Sequence, residues 1–310
     1  MEFYHVPVLW SETLDMLQVH DGGIYVDGTL RGCGHAKEIC RRMGRGMFIG
    51  IDRDEEAIQN AKERLKEYRE QVILVHKNYA DIKAILQEQH VEGVDGALLD
   101  LGVSSYQLDN GERGFSYMHD APLDMRMNRQ DKKSAYDVVN GYAEEELVRV
   151  IRNWGEERFA GSIARTICRE RQIAPIQTTY QLRDIVKQAI PAKNRRQGPH
   201  PAKRTFQAIR IEVNQELEKL QQALRDMFDI LRPGGILAVI SFHSLEDRIV
   251  KEVWRELSEG CTCPKSFPVC VCGKRALGEP ITRKPIQAGE EELLQNPRAR
   301  SAKLRGIRKF

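Results

Sequence analysis

The stretch Ile24-Tyr25-Val26-Asp27-Gly28-Thr29-Leu30-Arg31-Gly32-Cys33-Gly34-His35 decides the fold. A β-favouring run ends in an acid, a glycine-rich turn follows, and a helical pattern occupies 34–43. Such a turn lets backbone approach a ligand closely, beside the positive end of the helix. Working outward, 47–52, 72–75 and 96–100 read as further strands, with helical patterns over 55–68 and 79–89 between them. This alternation predicts a parallel sheet with helices on both faces.

Beyond Gln107 the pattern changes. Residues 110–131 read as loop, helical patterns follow near 143–153, 156–171 and 178–189, and a basic connector with prolines at 191 and 201 leads into a long helix ending near Leu231. Arg232-Pro233-Gly234-Gly235 reads as a turn, 236–242 as a buried strand and 245–257 as a helix. The expected fold class is therefore α/β, a Rossmann-like sheet opened by a mainly helical insert. The sheet domain is expected over 1–107 and 213–310, and the insert over 108–212.

Composition narrows the function classes. The chain has 310 residues, 41% hydrophobic and 30% charged, enough to build a core and with no bias towards disorder. No run approaches the ~18–20 apolar residues that span a bilayer, and residues 1–17 lack the pattern of a signal peptide. A cytoplasmic protein without a membrane partner is expected, as monomer or homodimer. The net charge of +3 conceals a division. Residues 1–100 carry 12 Lys+Arg against 18 Asp+Glu, whereas 261–310 carry 11 against 4. A second basic block, Lys193, Arg195, Arg196, Lys203, Arg204 and Arg210, contains no acid. Two basic blocks on an otherwise acidic chain point to a polyanion partner, and both are expected to flank the cleft beyond Asp100.

The acidic half carries the cofactor signal. Asp52 closes the second strand, where a carboxylate can accept hydrogen bonds from both hydroxyls of an adenosine ribose. The chain has no Gly-x-x-x-x-Gly-Lys-Ser/Thr run and no Gly-x-Gly-x-x-Gly in the first turn. S-adenosylmethionine needs no pyrophosphate cradle, so a looser glycine turn suffices, which favours a methyltransferase over a dehydrogenase. Asp27, Asp52 and Asp100 all stand at carboxyl ends of strands, where reacting groups collect in such sheets. Asp100 is placed to accept a hydrogen bond from an amine that attacks the methyl.

Motifs spread along the chain carry a resemblance. They include His5-Val6-Pro7-Val8-Leu9, Asp27 to His35, Ile51-Asp52-Arg53-Asp54, Leu99 to Ser105 with Gln107-Leu108-Asp109, Arg113-Gly114-Phe115-Ser116 and Pro122-Leu123-Asp124-Met125-Arg126-Met127. They continue through Gly155-Glu156-Glu157-Arg158, His200-Pro201-Ala202 with Arg204 to Ala208, Ser241 to Arg248 and Asn296 to Ser301. The chain resembles the ribosomal small-subunit RNA methyltransferase H family. The resemblance implies methyl transfer from S-adenosylmethionine to the exocyclic amine of a cytidine in the decoding region of 16S rRNA of the small subunit. It implies an insert that helps recognise substrate, and cofactor contacts at Cys33, Gly34, His35, Asp52, Tyr79, Asp100 and Gln107. One departure stands out: Arg31 and Cys33 occupy positions of a turn that the family fills with glycine, and Arg31 adds bulk near the cofactor.

The substrate side is assigned to Asp109, Phe115, Asp124, Arg126, Arg204 and His243. Phe115, Tyr106 and Phe242 are stacking surfaces for a splayed base or ordinary core. His243 contacts base or phosphate, or is structural; Asp124 and Arg126 form a loop ion pair or contact RNA. Cys261, Cys263, Cys270 and Cys272 form two C-x-C clusters, compatible with a structural zinc site, two disulfides or free thiols. Against the methyltransferase stand a catalytically idle RNA-binding or ribosome-assembly factor that keeps the fold, and a small-molecule methyltransferase, which the basic blocks and the insert disfavour.

Overall fold

In the computed structural model the described residues are 7–195, 200–261, 263, 264, 267, 269 and 271–310. They divide into two compact units, residues 1–102 with 218–310 and residues 103–217. The boundaries expected from sequence lie at 107/108 and 212/213.

The first unit opens with α1 (Trp10–Leu17), β1 (Ile24–Asp27), α2 (Gly34–Met43), β2 (Met47–Asp52), α3 (Glu55–Arg64), β3 (Val72–His76), α4 (Ile82–Glu88) and β4 (Val94–Asp100). Helix α2 forms because Ala36, Ile39, Cys40 and Met43 repeat at helical spacing, and that face is buried. The expected helix over 55–68 stops at Arg64 and gives way to a 3-10 turn, Lys66–Tyr68. The one expected over 79–89 begins with a 3-10 turn, Tyr79–Asp81, capped by Asn78.

The second unit holds α5 (Ser105–Asp109), α6 (Ala135–Gly141), α7 (Glu144–Asn153), α8 (Ala160–Ile173), α9 (Thr179–Ala189), α10 (Ala192–Arg195) and α11 (Lys203–Asn214). Its core gathers Leu147, Ile151, Ile163, Ile167, Leu182 and Ile209, each worth roughly 1.5–3 kcal/mol when fully buried. Buried polar groups pin the long loop before α6. Asn214 Nδ2 donates to the Met125 carbonyl at 2.7 Å, and the Met127 N–H donates to Asn214 Oδ1 at 2.8 Å.

The chain then returns to the first unit through α12 (Leu220–Asp229), β5 (Leu231–Ser241), α13 (Ser244–Ser258), β6 (Gly278–Pro280), α14 (Glu290–Gln295) and β7 (Lys303–Lys309). The long helix expected to end near Leu231 is instead α11 and α12, broken where Gln215 takes φ 50°. The expected turn at 232–235 is an irregularity inside β5: Val94 pairs with Leu231 but Gly96 with Ile236, so the intervening residues bulge outwards. Gly234, at φ +83°, supplies the left-handed residue there.

The sheet order is β3-β2-β1-β4-β5-β7-β6. Strands β1 to β5 are parallel; β7 runs antiparallel to both β5 and β6. The order reverses between β1 and β4, where a doubly wound sheet opens a crevice beyond its carboxyl ends. Asp27, Asp52 and Asp100 are the last residues of β1, β2 and β4. Among the described residues no helix is long and apolar enough to cross a membrane.

Candidate active site

Three adjacent parallel strands bring three carboxylates to one edge of the sheet. Asp27 is buried and accepts from the Thr29 N–H at 2.9 Å and the Thr29 hydroxyl at 3.3 Å. Burial pushes its carboxyl up to about 7, against the Thr29 hydrogen bonds and with the help of Asp100 and Asp52. Asp52 is spanned by the backbone: the Arg31 N–H donates to Oδ2 at 3.1 Å and the Asp54 N–H to Oδ1 at 2.9 Å. A carboxylate accepts at about four lone-pair sites, so Asp52 keeps capacity for two ligand hydroxyls. Burial still raises its carboxyl above the ordinary range.

Asp100 closes β4 with its N–H donating to Thr29 Oγ1 at 2.6 Å. It is 6% exposed. One oxygen, Oδ2, lies 3.2 Å from Arg31 Nη1, while the other, Oδ1, is buried with no partner among the described residues. Burial pushes this carboxyl up to about 6; Arg31 opposes the rise and Glu246 adds to it. A buried carboxylate oxygen without a donor costs free energy, so an oxygen held this way fits a ligand that brings its own donor.

The turn from β1 to α2 is built for close approach. Arg31 and Cys33 stand at φ 47° and 59°, the left-handed region that favours glycine. A Cβ on Gly28 would come within 2.5 Å of Leu99 Cδ2 and 3.0 Å of Tyr79 Cβ, whereas one on Gly32 would meet nothing within 4 Å. The space beside Gly32 is thus open and the base of the turn is full. His35, in the first turn of α2, is buried, and burial with the nearby Arg31 holds it down to about 4 against a hydrogen bond to the Val8 backbone. Its Nε2 is buried without a partner among the described residues. Burial pushes the Cys33 thiol up to about 12, so it is a packing residue, not a nucleophile. Tyr79 follows β3, against Gly28.

These residues fit the methyl donor that the sequence suggested: an end-of-strand acid with spare acceptor capacity and an open turn at a helix N-terminus. Cys33, Gly34, His35, Asp52, Tyr79 and Asp100 all fall in the first unit. Gln107 falls in the second, where its side chain accepts from the Ser104 N–H at 3.0 Å in a capping box that starts α5.

The remaining assignments sort by burial. Phe115, read from sequence as a stacking surface or ordinary core, is a core residue of the second unit with Arg113 5.8 Å over its ring. Asp124 and Arg126 form a two-pronged ion pair, 2.8 and 2.9 Å, and Arg126 also donates to the Arg129 and Asp131 carbonyls, so the pair organises its loop. His243 caps α13 through Nδ1, and its buried Nε2 lies 3.2 Å from Glu246 Oε1. Phe242 presents its ring to Arg31, 5.2 Å away. Tyr106 is 60% exposed, and Asp109 and Arg204 are exposed on α5 and α11.

Sequence reasoning missed Thr29 and the grip of Arg31, because both act on Asp100 across the fold. The nearest signal was the Asp-x-Thr spacing of Asp27 and Thr29.

With the geometry in place, the comparisons decide the lineage. Residues 2–310 match the MraW methylase family. The chain belongs to that family. Curated relatives of this methylase include the ribosomal RNA small subunit methyltransferase H of Clostridium botulinum strain Loch Maree, 57% identical, and that of strain Kyoto, 56% identical. Each alignment covers 100% of both chains.

The tail holds a separate cluster. Sulfurs of Cys261, Cys263 and Cys272 all lie within 4.8 Å of one another. The Cys263 N–H donates to Cys261 Sγ and the Val271 N–H to Cys263 Sγ, each at 3.4 Å. Cys270, expected as the fourth member, lies outside the described residues, as do Arg196, His5 and Val6.

Proposed function

We infer that this chain transfers a methyl group from S-adenosylmethionine to N4 of a cytidine in the 16S rRNA of the small ribosomal subunit. The observation that carries the reading is 57% identity, over the full length of both chains, to a ribosomal RNA small subunit methyltransferase H. S-adenosylmethionine supplies a methyl on a sulfonium, open to direct displacement by a nitrogen. The chain's own work is to hold, orient and accept. Asp52 would hold the ribose hydroxyls, and the open backbone beside Gly32 would admit the rest of the donor. Cytosine's amine is a weak nucleophile because its lone pair is delocalised into the ring. Asp100 Oδ1 accepts an N–H of that amine, localises the lone pair and fixes its direction; such positioning contributes much of a barrier reduction. Methylation makes the amine strongly acidic, so its proton leaves afterwards, to Asp100 or to water. Work on ribosomal RNA implies a cytoplasmic place of action, and the helical second unit, with Lys193, Lys203 and Arg204 exposed, is suited to RNA phosphates.

Incubation with tritiated S-adenosylmethionine and small subunits lacking the modification tests this. Label at one cytidine N4 is the expected result. Calorimetric binding of the donor with no transfer to subunits, free rRNA or small molecules would instead identify an idle assembly factor.

The tail supports a structural zinc site. Four thiolates about 2.3 Å from a tetrahedral zinc stand about 3.8 Å apart, and Cys261 Sγ and Cys272 Sγ are 3.8 Å apart. That separation is too long for a disulfide, about 2.05 Å. The N–H donors to sulfur are the outer contacts that thiolate ligands take. Zinc at about one per chain is the expected result of metal analysis under reducing conditions, with loss in Cys261→Ser; metal-free wild-type protein rules the site out.

A further inference from the structure

Arg31 stands in the cofactor turn at a left-handed φ of 47°, yet its side chain is not loose bulk. Its guanidinium is fixed from three directions. Nη1 pairs with Asp100 Oδ2 at 3.2 Å, Nη2 donates to the Leu101 carbonyl, and the group lies 5.2 Å from the centre of the Phe242 ring. Its own N–H is anchored on Asp52. The side chain is 15% exposed and that of Asp100 9%, so the pair is largely out of water, where its attraction is strong.

We propose that Arg31 is a positioning residue for methyl transfer: it ties down one oxygen of Asp100, keeping the other charged and aimed at the amine that is methylated. This rests on the reading of Asp100 as the acceptor and adds to it the group that makes Asp100 competent. Three observations support the step. Asp100 uses its two oxygens unequally, one on Arg31 and one with no partner among the described residues. Among the described residues, the other charged groups coupled to this carboxylate are acids, Asp27 from β1 and Glu246 from α13, with His243 beside Glu246. Arg31 is therefore the cation that opposes burial and acid repulsion at this edge. Finally, a planar fork can bond a carboxylate and a neighbouring carbonyl at once, which a lysine ammonium on a flexible stem does poorly. The bond to Leu101 thus fixes where the charge on Asp100 sits.

The sign follows. Removing Arg31 takes away the influence that lowers the Asp100 carboxyl, so the acid limb of the rate profile moves to higher pH. Single-turnover rates against pH, with S-adenosylmethionine and subunits saturating, are to be measured for wild type, Arg31→Gly and Arg31→Lys. Binding of S-adenosylhomocysteine is measured in parallel. Glycine suits the left-handed backbone at this position, and Arg31→Lys serves should that variant not fold. The expected result for Arg31→Gly is an acid limb raised by about one pH unit and a rate at pH 7 lowered about ten- to a hundredfold, with S-adenosylhomocysteine affinity little changed. Arg31→Lys restores the limb but only part of the rate. A wild-type limb and rate in Arg31→Gly, while Asp100→Asn is inactive, overturns the role of Arg31 alone. Lost affinity with an unmoved limb also overturns it, assigning Arg31 to holding the donor. Wild-type turnover in Asp100→Asn removes the underlying reading of Asp100.

Discussion

Asp27 shows what the site costs the fold. Its folded carboxyl is raised from 3.8 to about 7, so the folded chain holds that proton more tightly than the unfolded one. Stability from this group is then fully present below pH 3.8 and is lost as pH rises towards 7. The loss is at most about 4 kcal/mol, at ~1.4 kcal/mol per unit. Asp27→Asn keeps an acceptor for the Thr29 N–H and carries no charge. Urea midpoints are expected to be higher for the variant than for wild type at pH 8 and nearly equal at pH 4. Equal midpoints at pH 8 would mean that Asp27 is not strained by its burial. The three acids themselves were legible in sequence, because each closes a hydrophobic run at a strand end. Their mutual influence was not, since it depends on which strands lie side by side.

At the scale of elements, the β1–α2 turn separates packing from binding. Gly28→Ala places a methyl against Leu99 and Tyr79 and is expected to cost about 1–3 kcal/mol of stability. Gly32→Ala meets nothing, so its melting temperature should match wild type while donor affinity falls. Unchanged affinity would show that the donor does not use that space. Strand β7 makes the opposite case. Its sequence, Lys-Leu-Arg-Gly-Ile-Arg-Lys, reads as a basic tail, yet Leu304, Gly306 and Ile307 are buried, and hydrophobic periodicity is lost among the charges. Part of that charge is spent inside the unit. Arg305 and Lys303 reach Asp247 at 2.7 and 3.3 Å. Burial works to raise the Asp247 carboxyl, but these two cations outweigh it and hold it below the ordinary range. The pair stabilises above pH 3.8 and fails as pH falls below it. Asp247→Ala should cost about 3–5 kcal/mol at pH 7, a loss that shrinks in acid, read from urea midpoints. Lys303 pairs with Ser241, at the same end of the sheet as Asp100, whereas Arg308 pairs with Ile236 towards the other end. Only part of the tail therefore shares the edge of the sheet that carries Asp100.

For the molecule as a whole, charge divides between internal pairs and open surface. In the basic block of the second unit, Arg210 pairs with Glu216 at 2.8 Å, and Arg195 donates to the Ile190 carbonyl. Lys193 and Lys203 are exposed. Reversing both to Glu should weaken binding to small subunits and flatten its salt dependence by roughly 0.7–0.9 per lost phosphate contact, leaving S-adenosylhomocysteine binding intact. An unaltered salt slope would place the RNA contacts elsewhere. The sheet half was readable because its strands are nearly continuous apolar runs. The insert was readable as helical, but not where helices stop: the break at Gln215 carries no glycine or proline.

Strand β7 also sets a timetable. It lies between β5 and β6 in the sheet, yet it follows β5, α13, β6 and α14 along the chain. During synthesis, β5 therefore waits with an unsatisfied edge until β7 has been made. A ribosome that stalls between the two strands leaves a product whose sheet cannot close, and that open edge is the mark by which proteases or chaperones can recognise it.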